Sequence, residues 1–188
     1  MELKLLNINI FLFVIYKSCN RKFFQGRLAC LDIFDGKFVA VFTTQEELGY
    51  RGAILASQRL KPSKCICIDV GFATDIPSMR NQTSISEFYL HHGPGLCIAP
   101  DNNFELTQEL IEIASQKAIP YQISTSYKPV TGTETARIQQ AGSGVVSAHI
   151  SIPNRYMHSA VEMCSLIDAH YTINLLTEYL SSHFLRVM

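Results

Sequence analysis

Apolar positions along this chain follow two periods. Residues 38–44 (Phe-Val-Ala-Val-Phe-Thr-Thr) and 64–70 (Lys-Cys-Ile-Cys-Ile-Asp-Val) are short, nearly continuous apolar runs rich in β-prone residues, and each predicts a buried strand. Between them, residues 51–60 carry Ala53, Ile54, Leu55 and Leu60 and stop before Pro62, which predicts a helix. Strand, helix and strand joined by short links form the βαβ signature of a parallel sheet. Further on, 104–117 repeats Leu106, Leu110, Ile113 and Ala114 at helical spacing, with Asn102 or Asn103 as its cap. Strands are expected at 84–91, 119–124 and 145–152, and a short helix ends at Ala141 before Gly142-Ser143-Gly144. A last helix is expected over 160–180, with Ser159 and Glu162 forming a capping box before it.

The first 25 residues stand apart. Leu5 to Tyr16 is strongly apolar but interrupted by Asn7 and Asn9, and it is too short for a helical membrane span of about 20 residues. It is read as an irregular or truncated start, and residues 26–188 as the C-terminal part of a catalytic domain. Composition adds little bias. Lys plus Arg equals Asp plus Glu at 16 each, which argues against broad attraction to nucleic acid or anionic membrane. With 47% hydrophobic and 17% charged residues the chain can build a sizeable core. Cys65 and Cys67 alternate with Ile66 and Ile68 as small buried thiols, the habit of a reduced, cytoplasmic protein.

Candidate chemistry gathers at strand ends, where ligands sit in open α/β sheets. Strand 38–44 runs into Glu46-Glu47 and then Gly49. On extended backbone these two carboxylates point to opposite sides, so one is free to hold a metal while the other handles protons. Asp69 closes the next parallel strand at the same rim, and His158 stands on a short connection before the last helix. The consecutive His91 and His92 would diverge on a strand and are read as loop residues. Neither a phosphate-binding loop nor a Gly-x-Ser-x-Gly elbow occurs.

Five pieces in order resemble the glutamyl, or tetrahedral, aminopeptidases, two-metal peptidases some of which were labelled endoglucanases. They are Thr44 to Ala53; Ile68-Asp69-Val70 with Ala73 to Pro77; His92-Gly93-Pro94-Gly95; Gly132-Thr133-Glu134-Thr135-Ala136; and Ile150 to Ser159. The resemblance implies a mixed, mostly parallel sheet sandwiched by helices, of the zinc-exopeptidase kind and incomplete at its N-terminus. It implies that Glu46 is the general base, that Glu47, Asp69 and His158 are ligands of two divalent ions (zinc or cobalt), and that Gly132, Thr133 and Glu134 bind substrate. The implied activity removes N-terminal residues from peptides through a water shared by the two ions. The implied assembly is a homo-oligomer.

The chain departs from that pattern upstream of the glutamate pair. No His precedes His91, so the family's first ligand is missing. The resemblance offers Leu31-Asp32 for the bridging position, with Asp32 as its ligand, but Ile33-Phe34 replaces the polar pair and the gap to Glu46 is too short for the helix that should follow. Glu134 replaces the family's usual Asp, and the inserted dimerisation domain is absent. The leading expectation is therefore the truncated catalytic portion of a metalloaminopeptidase, with one metal site largely present and the other crippled. The alternatives are a degenerate, non-catalytic binding or assembly subunit, or another two-metal amidohydrolase or carboxypeptidase.

Overall fold

The structure is a computed structural model that describes residues 9–15 (as backbone), 37–77, 79, 86–125 and 131–185. In chain order its elements are β1 (Asn9–Ile15), β2 (Lys37–Thr43), α1 (Arg51–Leu60), β3 (Lys64–Phe72), β4 (Gly95–Ile98), α2 (Phe104–Gln116), β5 (Gln122–Thr125), α3 (Thr135–Ile138), β6 (Val146–Arg155), β7 (Met163–Cys164) and α4 (Leu166–Leu185). They form one sheet in the order β2-β1-β3-β6-β4-β5, with β7 paired to β6. All neighbours are parallel except β4–β6 and β6–β7. This is the mixed, mostly parallel sheet expected from the sequence.

Side-chain alternation on β3 divides the core in two. Ile66 and Ile68 face one side, where they pack with Leu96, Ala148 and Ile150 under α2 and α4. Cys65 and Cys67 face the other, with Ala53 of α1, Ile138 of α3 and Val145. Helices thus cover both faces of the central strands, which is why β3 carries no exposed residue before Phe72. Helix α2 begins at the side-chain cap of Asn103, whose Oδ1 accepts the Leu106 N–H at 2.8 Å.

Four expectations need correction. Asn9–Ile15 is no irregular start: it pairs in parallel with β2 on one side and β3 on the other, Phe11 lying opposite both Val39 and Cys65. A run of Ile, Phe, Leu, Phe, Val and Ile suits a strand inside a parallel sheet, and Asn9 merely opens it. The strand β2, expected to be buried, is instead the sheet's edge among the described residues, and its Ala40 is exposed. Residues 86–91 form no strand; they cross the sheet end as a loop in which Phe88 occupies the space left by Gly71 and Gly95. The final helix starts at Leu166, not near residue 160. Residues 156–162 first make turns, and β7 intervenes before Asp168 enters the first helical turn.

Candidate active site

The carboxyl ends of β2, β3 and β6 open on a cleft of about 800 Å³. After Thr43 the chain turns sharply. Gln45 takes φ 58, the Leu48 N–H donates to Gln45 O at 3.3 Å, and the Tyr50 N–H donates to Glu46 O at 2.8 Å. The glutamate pair therefore sits in a tight turn and not on extended backbone, a correction to the reading from alternation. Gly52 makes the turn fit. Its N–H donates to Thr44 O at 3.0 Å, and a Cβ there would meet the Thr44 N at 2.5 Å and O at 2.6 Å.

Glu46, Glu47, Asp69 and His158 all line this one cleft. His158 Nδ1 lies 3.8 Å from Glu47 Oε1, and its ring stacks obliquely on Phe72 with centroids 6.0 Å apart. Asp69 leaves β3 on the Cys65–Cys67 side, with its Oδ1 accepting the Val70 N–H at 2.7 Å. Tyr50, to which the sequence alone assigns no role, lines the same cleft near the Glu46 and Asp69 carboxylates. Burial raises its hydroxyl pKa first, and the carboxylates of Glu46 and Asp69 raise it further.

Of the three residues matched to substrate binding, Gly132 and Thr133 line the cleft, whereas Glu134 is fully buried beneath it. The Thr43 hydroxyl donates to Glu134 Oε1, while Oε2 has no hydrogen-bond partner among the described residues. Burial pushes the Glu134 carboxyl up to about 7; the Thr43 bond opposes this, and the Glu46 and Asp69 carboxylates add to it. Deeper in the cleft stands His149, also missed because a lone His inside a strand gives no motif. It is buried beside Cys67 in the strand register, neither ring nitrogen has a partner among the described residues, and burial lowers its pKa to about 4. His91 and His92 are exposed and lie outside the cleft lining. Asp32 lies outside the described residues.

A carboxylate and an imidazole are donor types that zinc and cobalt both take. Glu47 and His158 fit as part of one ion's ligand set. However, no group of three or more His, Cys, Asp or Glu among the described residues is arranged to hold a metal. A structural or catalytic zinc takes three or four protein ligands, so the described residues do not assemble a closed ion site, still less a pair of them.

The sequence profile of the M42 glutamyl aminopeptidases matches residues 30–175, and the chain belongs to that family. It is similar to the lysyl aminopeptidase of Pyrococcus furiosus, with 39% identity over 135 residues that cover 72% of this chain and 38% of that protein. Among solved structures it resembles the TET aminopeptidase of Thaumarchaeota archaeon SCGC AB-539-E09. There the TM-score is 0.71 at 30% identity, over 78% of this chain and 41% of that one. It also resembles PhTET1-12s, solved as a dodecamer in the asymmetric unit, with a TM-score of 0.66 at 25% identity over 81% of this chain and 44% of that one. The chain thus spans 38–44% of the length of these relatives.

Proposed function

We propose that this chain supplies the peptide cleft and part of the metal centre of an aminopeptidase that releases N-terminal residues. The observation that carries the reading is the meeting of Glu47 and His158 at 3.8 Å on a cleft that also receives Glu46 and Asp69. Membership of the M42 family supports it. Glu47 and His158 would hold one zinc or cobalt ion, and Asp69 would face a second, with Asp32 as the bridging candidate. When bound, such ions lower the pKa of water and polarise the carbonyl under attack.

The chain's own side chains divide the remaining work. Glu46, in the turn beside Glu47, takes a proton from the attacking water and returns it to the leaving amine. Gly132 and Thr133 form the cleft wall against which a peptide lies. Phe72, Met157 and Leu166 give that wall an apolar side. Peptides are the proposed substrates, and self-assembly is proposed on the likeness to the dodecameric PhTET1-12s. The buried free thiols Cys65, Cys67 and Cys97 support a reducing, cytoplasmic location. No helix among the described residues is long and apolar enough to cross a membrane.

A second reading is favoured by one specific observation, the absence of a third ligand near Glu47 and His158 among the described residues. Under it the chain is a non-catalytic relative that keeps the cleft for binding or assembly. Cleavage of Leu-, Lys- and Glu-anilides with added zinc or cobalt separates the two. Turnover abolished by Glu46→Gln supports the peptidase. Peptide binding without turnover supports the non-catalytic relative. Cleavage of N-blocked peptides would contradict the aminopeptidase assignment in favour of another hydrolase.

A further inference from the structure

His158 owes its place to an unusual backbone. It adopts φ 65 and Tyr156 adopts φ 59, left-handed conformations that side chains with a Cβ rarely take. Something must hold this turn. The Ser159 N–H donates to Tyr156 O at 3.0 Å, which closes the turn but leaves the amide of His158 to be satisfied elsewhere. It donates to Glu162 Oε1 at 2.8 Å. The second oxygen of the same carboxylate accepts from Asn154 Nδ2 at 2.9 Å.

Asn154 is a firm anchor. Its side chain is buried, its carbonyl accepts the Ala73 N–H at 2.9 Å, and it pairs with Cys164 across β6 and β7. A carboxylate only accepts hydrogen bonds, so the Asn154 amide must turn its nitrogen toward Glu162. The carboxylate therefore joins a fixed point on β6 to the one backbone N–H whose position sets where the His158 ring points. The spacing of Ser159 and Glu162 predicts a helix cap; in the fold no helix begins there, and the Glu162 side chain reaches back to His158 instead.

We propose that Glu162 is a positioning residue for His158: by bridging Asn154 and the His158 amide it holds the imidazole against Phe72 and opposite Glu47. This rests on the reading of His158 as a metal ligand. Bonds to an outer carboxylate commonly set the orientation, and with it the affinity, of such ligands. What the bridge requires is two accepting oxygens on Glu162, or an equivalent pair of bonds with one of them reversed.

The test is a rescue experiment on the full chain. Glu162→Ala removes both acceptors, and Asn154→Asp sets a second carboxylate against the first. Glu162→Gln keeps an acceptor for the His158 N–H, and its NH2 donates to Asn154 Oδ1 once the Asn154 amide reverses, since that oxygen has no other partner among the described residues. The double variant Asn154→Asp/Glu162→Gln likewise rebuilds the bridge, because the introduced amide donates to the introduced carboxylate and still accepts from the His158 N–H. Two readouts are used: zinc affinity by chelator competition, and the nuclear Overhauser contact between the His158 and Phe72 rings. Glu162→Ala and Asn154→Asp, with unchanged far-UV circular dichroism, are expected to lose the ring contact and about tenfold or more in zinc affinity. Glu162→Gln and the double variant are expected to stay within about threefold of the unaltered protein. Retention of both readouts in Glu162→Ala and Asn154→Asp overturns the proposal. So does a folded Glu162→Gln or double variant as weak as the variants that break the bridge. If Glu162→Ala does not fold, Asn154→Asp and its rescue by Glu162→Gln carry the comparison. Zinc binding absent from the unaltered protein would contradict the metal reading of His158, whereas the ring contact still decides the role of Glu162.

Discussion

The imidazole of His158 and the carboxylate of Glu47 lie 3.8 Å apart, although they come from opposite ends of the matched region. Glu47 follows β2 at the sheet edge, and His158 follows β6, on the far side of β1 and β3. Only parallel pairing throughout β2, β1, β3 and β6 brings both carboxyl ends to one rim.

The glutamate turn depends on Gly52. Gly52→Ala places a Cβ against the Thr44 backbone, which has no side-chain rotamer with which to move aside. The expected cost is about 1–3 kcal/mol of stability. A matching fall in melting temperature and weaker zinc binding would confirm the link from turn to site. A variant with unchanged melting and unchanged zinc binding would contradict it.

Two buried groups in or beneath the cleft should give opposite pH dependences in metal-free protein. His149 has its pKa lowered to about 4 by burial, so the unfolded chain binds the extra proton between that value and 6.5. Its contribution is lost as pH falls through that window, by about 3 kcal/mol in all. Glu134, raised to about 7 from 4.5, keeps its proton in the folded state. Its contribution is present below 4.5 and lost as pH rises through about 7, again by about 3 kcal/mol. The two largely cancel between pH 4.5 and 6.5. Glu134→Gln, which retains an acceptor for Thr43, should therefore show stability rising with pH up to about 6.5 and no fall near 7. His149→Leu should show only the fall. Thermal melts from pH 4 to 8 with chelator present would read both, and parallel curves for the three proteins would contradict the assignment.

How much of this was legible in the residues follows the physics of each element. Helix α1 had a clear apolar pattern and a Pro boundary, and its limits are as the sequence predicts. The α2 limits agree to within a residue, and its cap is one of the two Asn expected. The start of α4 was misplaced because Ser159 and Glu162 have the spacing of a capping box, while the carboxylate's preferred donor is the strained His158 amide. The strand β1 is hidden in the sequence because Asn7 and Asn9 interrupt the apolar run, although the uninterrupted run at 64–70 reads as a strand. His149 and Tyr50 gave no signal since their roles come from burial and from charges brought near by folding.

The loop carrying His91 to Gly93 is fastened by a single buried carboxylate. Asp168 Oδ2 accepts the His91 N–H and Oδ1 the Gly93 N–H, each at 2.8 Å. Asp168→Ala strands both donors and should cost about 2–4 kcal/mol. Asp168→Asn, which keeps one acceptor, should cost less. Denaturant melts of the two variants would check this order, and equal midpoints for Ala and wild type would contradict it.

The most direct test of the shared rim is the zinc or cobalt bound per chain at neutral pH, by equilibrium dialysis, in the unaltered protein and in Glu47→Ala and His158→Ala. The pairing of these side chains predicts bound metal in the first and a marked loss of affinity in each variant. Full binding in either single variant would mean that Glu47 and His158 hold no common ion.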